Sequence, residues 1–219
     1  MSEIQVIKRD GIKEPLDLEK MHKVVMFACE DIAGVSASEV ELKSHIQFYD
    51  GIKSEEIQET LIKAAADLIS EETPNYQWVA GNLVNYHLRK MVYNDFNPWP
   101  IYKIIKKNVE LGFYDSALLE DYTEEEWNEI NDFKHDRDFN IAYVGMEQFR
   151  GKYLAQNRVT GKHFETPQIT YALISATLFS QYPKETRLKY VKDYYDAVSN
   201  FDISLPTPVM AGVRTPQRQ

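Results

Sequence analysis

The chain has 219 residues, of which 43% are hydrophobic and 27% charged, and its 34 acidic and 25 basic residues give a net charge of −9. This composition can bury a core and excludes collagen-like and low-complexity chains, while the acidic balance argues against broad electrostatic binding of nucleic acid. The single cysteine, Cys29, excludes an internal disulfide, a four-cysteine zinc site and a dithiol pair within the chain.

Features of a membrane or metal protein are not found in the sequence. No stretch reaches the roughly 18 apolar residues of a membrane-spanning helix, and the first ten residues carry charges where a signal peptide has its apolar region. With the single cysteine, this favours a cytoplasmic protein in a reducing compartment. The five histidines lack the close spacing of metal ligands, so no metal site is expected.

The first predicted elements are a hairpin and a helix. Residues 4–16 alternate in polarity around Asp10-Gly11, the dipeptide typical of a tight turn. Asp17 can cap the helix that follows, which ends before Gly34. The apolar positions of this helix recur at helical spacing: Met21, Val24, Val25, Ala28 and Ile32.

Three further helices complete the first predicted region. Ser38 can cap a short helix over residues 39–48, and Ser54 can cap a longer one with acidic residues in its first turn. A helix over residues 75–93 then ends before a proline pair. The predicted domains are residues 1–95 and residues 96–219.

The second region is predicted to be mainly helical. The helix over residues 123–131 starts at Thr123 and has Glu126 three residues later, a capping box. The ten acidic residues between positions 115 and 138 are interpreted as a solvated helix face, and residues 202–205 as a short buried strand. The other predicted elements are helices over 101–111, 167–179 and 185–199 and a hairpin over 152–165.

Basic residues near predicted helix starts indicate an anion site. Lys8 and Arg9 lie where the first strand enters its turn, and Lys20 lies in a first helical turn, where a cation opposes the helix dipole. Free N–H groups at helix starts can hold phosphates, and Ser54 and Lys90 are further candidates. From the residues alone, surface lysines and a plain capping serine remain the simpler explanation.

Several segments resemble the large subunit of class I ribonucleotide reductase, of the bacterial and phage type. VIKRDGIKEPLDLEKMH, IQFYDGIKSEEIQETLIKAAADLIS and YHLRK are similar to its ATP cone, and ISLPTPVMAGVRTPQRQ to a later segment. The resemblance covers essentially the whole chain. It implies an α/β, mostly helical fold: an ATP cone of a β-hairpin plus a four-helix bundle, a helical region, and the start of a ten-stranded α/β barrel.

The resemblance also implies an allosteric site and its residues. The cone is expected to bind ATP or dATP, with Mg, and so to regulate deoxyribonucleotide synthesis, while Thr207 is expected to contact the substrate diphosphate. Gln58 stands where close relatives have histidine, so a weaker response to dATP is expected because glutamine carries no charge. The implied effector residues are Lys8, Arg9, Glu14, Pro15, Leu16, Asp17, Leu18, Glu19, Lys20, Ser54, His87 and Lys90.

The implied activity is that of an oxidoreductase whose catalytic cysteines lie beyond the position of Gln219, so no residue here is expected to be catalytic and the chain alone is expected to be inactive. The implied partners are a small subunit with a diiron-tyrosyl radical, the remainder of the large subunit in cis or in trans, a second large subunit, and thioredoxin or glutaredoxin, with no nucleic acid and no membrane. A shortened chain and a split-gene product both remain open. The alternatives are a cone-containing repressor that senses nucleotides and a helical interaction module without a ligand.

Overall fold

The structure is a computed structural model that describes residues 4–45, 47–131 and 135–217. The chain is mostly helical and divides into two compact units. The first unit comprises residues 1–87 and 139–147, and the second comprises residues 88–138 and 148–219. None of the helices in the described ranges is long and apolar enough to cross a bilayer.

A small sheet opens the first unit. Its strands are β1 (Gln5–Ile7), β2 (Lys13–Pro15) and β3 (Ile52–Lys53) in the order β2-β1-β3. The predicted hairpin is confirmed: β1 and β2 are antiparallel, and Gly11 takes the positive φ of 85° that the turn requires. Strand β3, which no sequence pattern predicted, runs parallel to β1 with Lys53 opposite Ile7.

Four helices follow the hairpin: α1 (Leu18–Cys29), α2 (Ala37–His45), α3 (Ser54–Ala66) and α4 (Tyr76–Tyr93), the last of which continues into the second unit. The predicted cap of α1 is confirmed, because the Asp17 carboxylate accepts the Lys20 N–H at 2.9 Å. The apolar stripe predicted for α1 is also confirmed at its first four positions, which are buried: Met21, Val24, Val25 and Ala28.

Two predicted caps are wrong. Ser38 lies inside α2, which begins at Ala37 and ends at His45, because the Val40 N–H already bonds to the Ser36 carbonyl at 3.5 Å. Ser54 is the first residue of α3 rather than its cap. Lys53 occupies the capping position, since β3 holds it extended and its N–H donates to the Glu56 carboxylate at 3.2 Å.

The centre of the first unit is α4, which is buried on more sides than an amphipathic helix would be. Val79, Leu83 and Val84 have no exposed surface. Gly81 allows a close approach of the chain, because a Cβ there would lie 2.4 Å from the Ile141 carbonyl oxygen. The first unit therefore packs residues 139–147 against α4.

The second unit is helical around a buried central helix. Every residue from Pro167 to Ala176 of that helix, α9 (Pro167–Phe179), is buried, and α10 (Lys184–Ser199) packs along it. A π-helical turn, Phe149–Tyr153, precedes the predicted second hairpin, which is confirmed as β4 (Gln156–Asn157) and β5 (Lys162–His163). The remaining elements are α5 (Ile101–Glu110), α6 (Ala117–Glu120), α7 (Glu124–Ile130), a 3₁₀ helix (His135–Asn140), α8 (Tyr143–Gln148) and α11 (Thr207–Gly212).

The strand predicted over residues 202–205 is wrong. The N–H groups of Asp202 and Ile203 bond to the Ala197 carbonyl at 2.9 and 3.3 Å, so they finish the end of α10 instead of joining a ladder. Ile203 is 42% exposed. Within the described ranges, no strand pairs with this segment.

The sequence predicts that the acidic residues between positions 115 and 138 form a solvated helix face. This prediction is wrong for some of these residues. The capping box of Thr123 and Glu126 is confirmed. The same Glu126 carboxylate also accepts Arg187 Nε and Nη2 at 2.9 and 2.6 Å, and Arg187 is buried. Asp138 has no exposed surface at all.

Candidate functional site

Parallel pairing brings two candidate residues to one end of the small sheet. Lys8 follows Ile7 in β1, and Ser54 follows Lys53 in β3. Because Ile7 and Lys53 are opposite each other in parallel strands, Lys8 and the start of α3 leave the sheet side by side, at about the 4.8 Å spacing of neighbouring strands. A lysine thus lies beside the N-terminus of a helix of 13 residues.

The basic residues of the hairpin turn are paired with carboxylates. Lys8 Nζ lies 3.0 Å from Glu14 Oε2, and Arg9 Nε lies 3.3 Å from Glu55 Oε1. Both pairs are partly exposed, and such pairs contribute about 0 to 1 kcal/mol. An anion of higher charge can therefore replace these carboxylates at little cost. Arg9 also links the turn to the first turn of α3 through Glu55, which was not among the sequence candidates.

The first turn of α3 contains a carboxylate, that of Glu56, which is held by hydrogen bonds within the protein. Glu56 accepts the Tyr49 hydroxyl at 2.8 Å and the Lys53 N–H at 3.2 Å. The Tyr49 hydrogen bond, followed by the Lys53 one, lowers the pKa of Glu56. Ser54 is not used for capping, so its hydroxyl differs in role from the sequence prediction.

The stretch from Glu14 to Lys20 connects β2 directly to α1. Each of its residues is exposed except Leu16, which is half-buried. The Asp17 carboxylate satisfies one N–H group of the first turn, that of Lys20. The predicted effector residues of this stretch (Glu14, Pro15, Leu16, Asp17, Leu18, Glu19 and Lys20) therefore form one exposed segment at the entry to α1.

His87 Nδ1 and Gln58 Oε1 are among the buried polar atoms of the first unit that have no hydrogen-bond partner in the described residues. His87 is 2% exposed, and its other ring nitrogen lies 3.3 Å from Glu59 Oε1. An unsatisfied buried polar group costs about 1–3 kcal/mol. Gln58 was noted in the sequence only as a departure from related proteins.

The last two candidates belong to the second unit. Lys90 lies one helical turn after His87 on α4 and is half-buried. Thr207 is the first residue of α11 and follows Pro206. No helix was predicted from the sequence at Thr207, which is expected there only to contact the substrate diphosphate.

The segment that carries Thr207 is tied to the second unit by a buried ion pair. Arg214 and Glu165 have no exposed surface. Arg214 Nε lies 3.0 Å from Glu165 Oε2, and Arg214 Nη1 donates to the Met210 carbonyl at 2.6 Å. Burial alone would raise the pKa of Glu165, but the Arg214 guanidinium holds it below its ordinary value.

Two protein families match the chain in succession. The ATP cone domain matches residues 4–91, a range that includes all the effector candidates from Lys8 to Lys90. The ribonucleotide reductase all-alpha domain matches residues 139–218, a range that includes Thr207. The two matches have the order that the sequence resemblance implied.

Whole-chain relatives decide the assignment. The chain is 57% identical over 215 residues to ribonucleoside-diphosphate reductase 1 subunit alpha of Escherichia coli (strain K12). It is 55% identical over 217 residues to the subunit alpha of Haemophilus influenzae, and 41% identical over 222 residues to that of Enterobacteria phage T4. The chain corresponds to the N-terminal region of ribonucleoside-diphosphate reductase alpha subunits. The family resemblance seen in the sequence is confirmed.

The alignments cover 98–100% of this chain but only 28–29% of those reductase subunits. The N-terminal reductase region described here contains the ATP cone, which is the regulatory domain, and the helical region after it. The prediction of a mostly helical chain with a cone is confirmed. Within the described residues, no group of three or more His, Cys, Asp or Glu side chains is arranged to hold a metal ion.

Proposed function

We propose that the ATP cone binds ATP and dATP at the end of the sheet where Lys8 and the start of α3 emerge together. The parallel register of β1 and β3 carries this proposal, because it sets a lysine beside a helix N-terminus. Backbone N–H groups and the positive end of the helix dipole favour phosphate at that point. Lys8 and Arg9 would supply the neutralising charge, and Mg²⁺ would arrive with the nucleotide phosphates.

The two ion pairs of the cone, Lys8 with Glu14 and Arg9 with Glu55, allow an exchange of partners. Nucleotide phosphates would take Lys8 from Glu14 and Arg9 from Glu55, which frees both carboxylates. His87 Nδ1 and Gln58 Oε1 would be offered to the same nucleotide, since neither atom has a hydrogen-bond partner among the described residues. Lys90 and the segment from Glu14 to Lys20 are assigned to the site on the sequence resemblance.

Calorimetric titration of the chain with ATP and then dATP tests this site. Lys8→Ala removes a charge-assisted contact worth about 1.5–3 kcal/mol, so we expect the affinity to fall by about 10- to 100-fold at low salt. The matched control is Lys13→Ala, because Lys13 is an exposed lysine on the other strand of the same hairpin, opposite Ile7.

The comparison of the two variants gives a clear decision. Weaker binding in Lys8→Ala with wild-type binding in Lys13→Ala supports the site. Equal affinities in the wild type and Lys8→Ala, with the chain shown folded by circular dichroism, would rule out Lys8 as a phosphate ligand.

For the whole subunit, we propose that this region regulates an enzyme that reduces ribonucleoside diphosphates with thioredoxin or glutaredoxin as electron donor. The proposed partners are a small subunit with a diiron-tyrosyl radical, the remainder of the large subunit and a second large subunit. Thr207 would contact the substrate diphosphate. Residues 203–205 would become the first barrel strand only where neighbouring strands are present to pair with them.

A further inference from the structure

A group of lysines in the second unit converges on one tryptophan. Trp99 precedes α5, and the Nζ atoms of Lys103 and Lys107 lie 4.1 and 4.6 Å from the centre of its indole ring. Lys103 and Lys107 are four positions apart and so lie on the same face of α5, and Trp99 comes four positions before Lys103; we call these three residues the row. Lys103 is exposed and Lys107 is half-buried.

A third lysine, Lys162 of β5, lies beside the same row. Lys107, Lys162 and Trp99 line a small recess at the surface, which we name the lysine recess. No carboxylate is among its lining residues, although acidic residues outnumber basic ones by 34 to 25 in the chain. The other lining residues are Val92, Tyr93, Ile104, Asn108, His163 and Phe164.

The lysine recess has a net positive charge that the protein does not neutralise. Within residues 4–45, 47–131 and 135–217, neither Lys103, Lys107 nor Lys162 forms an ion pair with a carboxylate. Burial, followed by the charges of Lys162 and Lys103, lowers the pKa of Lys107. The indole ring offsets only part of this repulsion, since an exposed cation–π contact contributes about 0.5–1 kcal/mol.

The floor of the lysine recess is fixed by packing and hydrogen bonds. Asn108 is buried, and its side-chain amide donates to the Phe164 carbonyl at 3.0 Å. The Phe164 ring stacks on Phe113 with ring centres 3.9 Å apart. The three ammonium groups are therefore carried by a helix and a hairpin whose side chains between them are already held in place.

We propose that the lysine recess binds the phosphoryl group of a small anion. Lysine presents compact point charges with several donors, which suits a multiply charged phosphate, whereas recognition of planar carboxylates typically uses the fork of arginine. No arginine lines the recess.

No residue of the lysine recess is among the proposed effector residues. The residues of the lysine recess all belong to the second unit, whereas Lys8, Arg9 and Ser54 belong to the first. Trp99, Lys103 and Lys107 also lie between the two family matches, which end at residue 91 and resume at residue 139. Lys162 of the lysine recess lies within the all-alpha match, so only the row from Trp99 to Lys107 is outside both matches.

The test is an NMR titration of the ¹⁵N-labelled full chain with sodium pyrophosphate in low-salt buffer. We expect the amide signals of Lys107, Asn108 and His163 to shift saturably. Lys107→Gln and Lys162→Gln should each weaken this binding by about tenfold, because each removes a charged hydrogen bond. Lys106→Gln is the matched control, since Lys106 is exposed on the same helix but is not among the lining residues.

Three results would overturn the proposal: no shift at the recess amides, equal weakening by Lys106→Gln, or loss of the shifts in Lys8→Ala, which would assign them to the cone. Parallel titrations with orthophosphate and ADP identify the source of the phosphoryl group. Tighter binding of ADP than of pyrophosphate at the same amides would indicate a nucleotide. Equal or weaker binding of ADP would indicate a free phosphate anion.

Discussion

Two buried carboxylates of the second unit have opposite protonation behaviour, and the difference lies in their neighbours. Glu165 contacts the Arg214 guanidinium directly, which keeps its pKa low in spite of burial. Asp138 accepts Gln168 Nε2 at 3.0 Å, but its second oxygen has no hydrogen-bond partner among the described residues. Burial raises the pKa of Asp138 to about 7. A direct ion pair therefore decides which carboxylate stays charged at neutral pH.

Asp138 makes the second unit less stable as the pH rises. The unfolded carboxyl loses its proton near pH ~4, whereas the folded one keeps it up to about pH 7. The folded state thus binds more protons between these values, and its stability decreases with rising pH by at most ~4 kcal/mol. We expect Asp138→Asn to reduce the difference between the unfolding free energies measured in urea at pH 5 and pH 8.

Asp136→Asn is the control for this measurement, because Asp136 is an exposed carboxylate two residues away. Its profile should follow that of the wild type. A pH dependence in Asp138→Asn that equals the wild-type dependence would show that another group titrates in this range. Asparagine keeps an oxygen that can accept from Gln168, so the substitution should not prevent folding.

Turns and helix caps that depend on neighbouring residues could be predicted from the sequence. The pairing of strands that are distant along the chain could not. The turn at Asp10-Gly11, the Asp17 cap and the capping box at Thr123 each depend on residues within a few positions. Strand β3 has only two residues and depends on β1, which lies 46 positions earlier. Ser54 was misplaced for the same reason, because pairing with β1 extends the chain through Lys53.

The sequence predicted some residues of the candidate site but not the contacts between them. Charge and position in the sequence selected Lys8, Arg9 and Ser54, but the register that sets Lys8 beside α3 is a property of the sheet. The ion pairs to Glu14 and Glu55 involve side chains that no local pattern connects. The buried state of His87 results from packing around α4, which is buried on more faces than its sequence period indicated.

The attachment of α11 predicts a large loss of stability in one variant. Arg214→Met leaves the buried Glu165 carboxylate without its partner, which typically costs about 3–5 kcal/mol. We expect this loss in urea unfolding, together with faster amide exchange over residues 207–214. The double variant Glu165→Leu with Arg214→Met should recover most of the loss, because it removes both buried charges.

Lys189→Met provides the control for Arg214→Met. Lys189 pairs with Asp193 one turn along α10, and both side chains are exposed, so its loss should leave the unfolding midpoint unchanged. A double variant as unstable as Arg214→Met alone would mean that packing around the arginine stem, rather than the unpaired charge, dominates.

The two compact units of the chain do not have the same boundaries as the two family matches. The ATP cone match ends at residue 91, but the first unit ends at His87 on α4 and takes in residues 139–147. The close approach of Gly81 to the Ile141 carbonyl shows how tightly that later segment packs on the helix. The domain boundary at residue 95 therefore stays a prediction.

We expect the 219-residue chain to have no reductase activity of its own. Cys29 is the one cysteine among its 219 residues, so an internal dithiol cannot supply the two electrons that reduction of a ribonucleotide consumes. Burial, followed by the Glu41 carboxylate, raises the pKa of the Cys29 thiol to about 11, so little thiolate forms at neutral pH. We expect no deoxyribonucleotide when the chain is mixed with a small reductase subunit, substrate and dithiol reductant.

A Cys29→Ser variant separates true turnover from contamination in this assay. Product formed equally by the wild type and Cys29→Ser would come from another reductase in the preparation. Product formed by the wild type and absent in Cys29→Ser would contradict the prediction, because a single half-buried thiol at the end of α1 would then take part in the chemistry. The same two preparations should bind ATP alike, since Cys29 is not among the proposed effector residues.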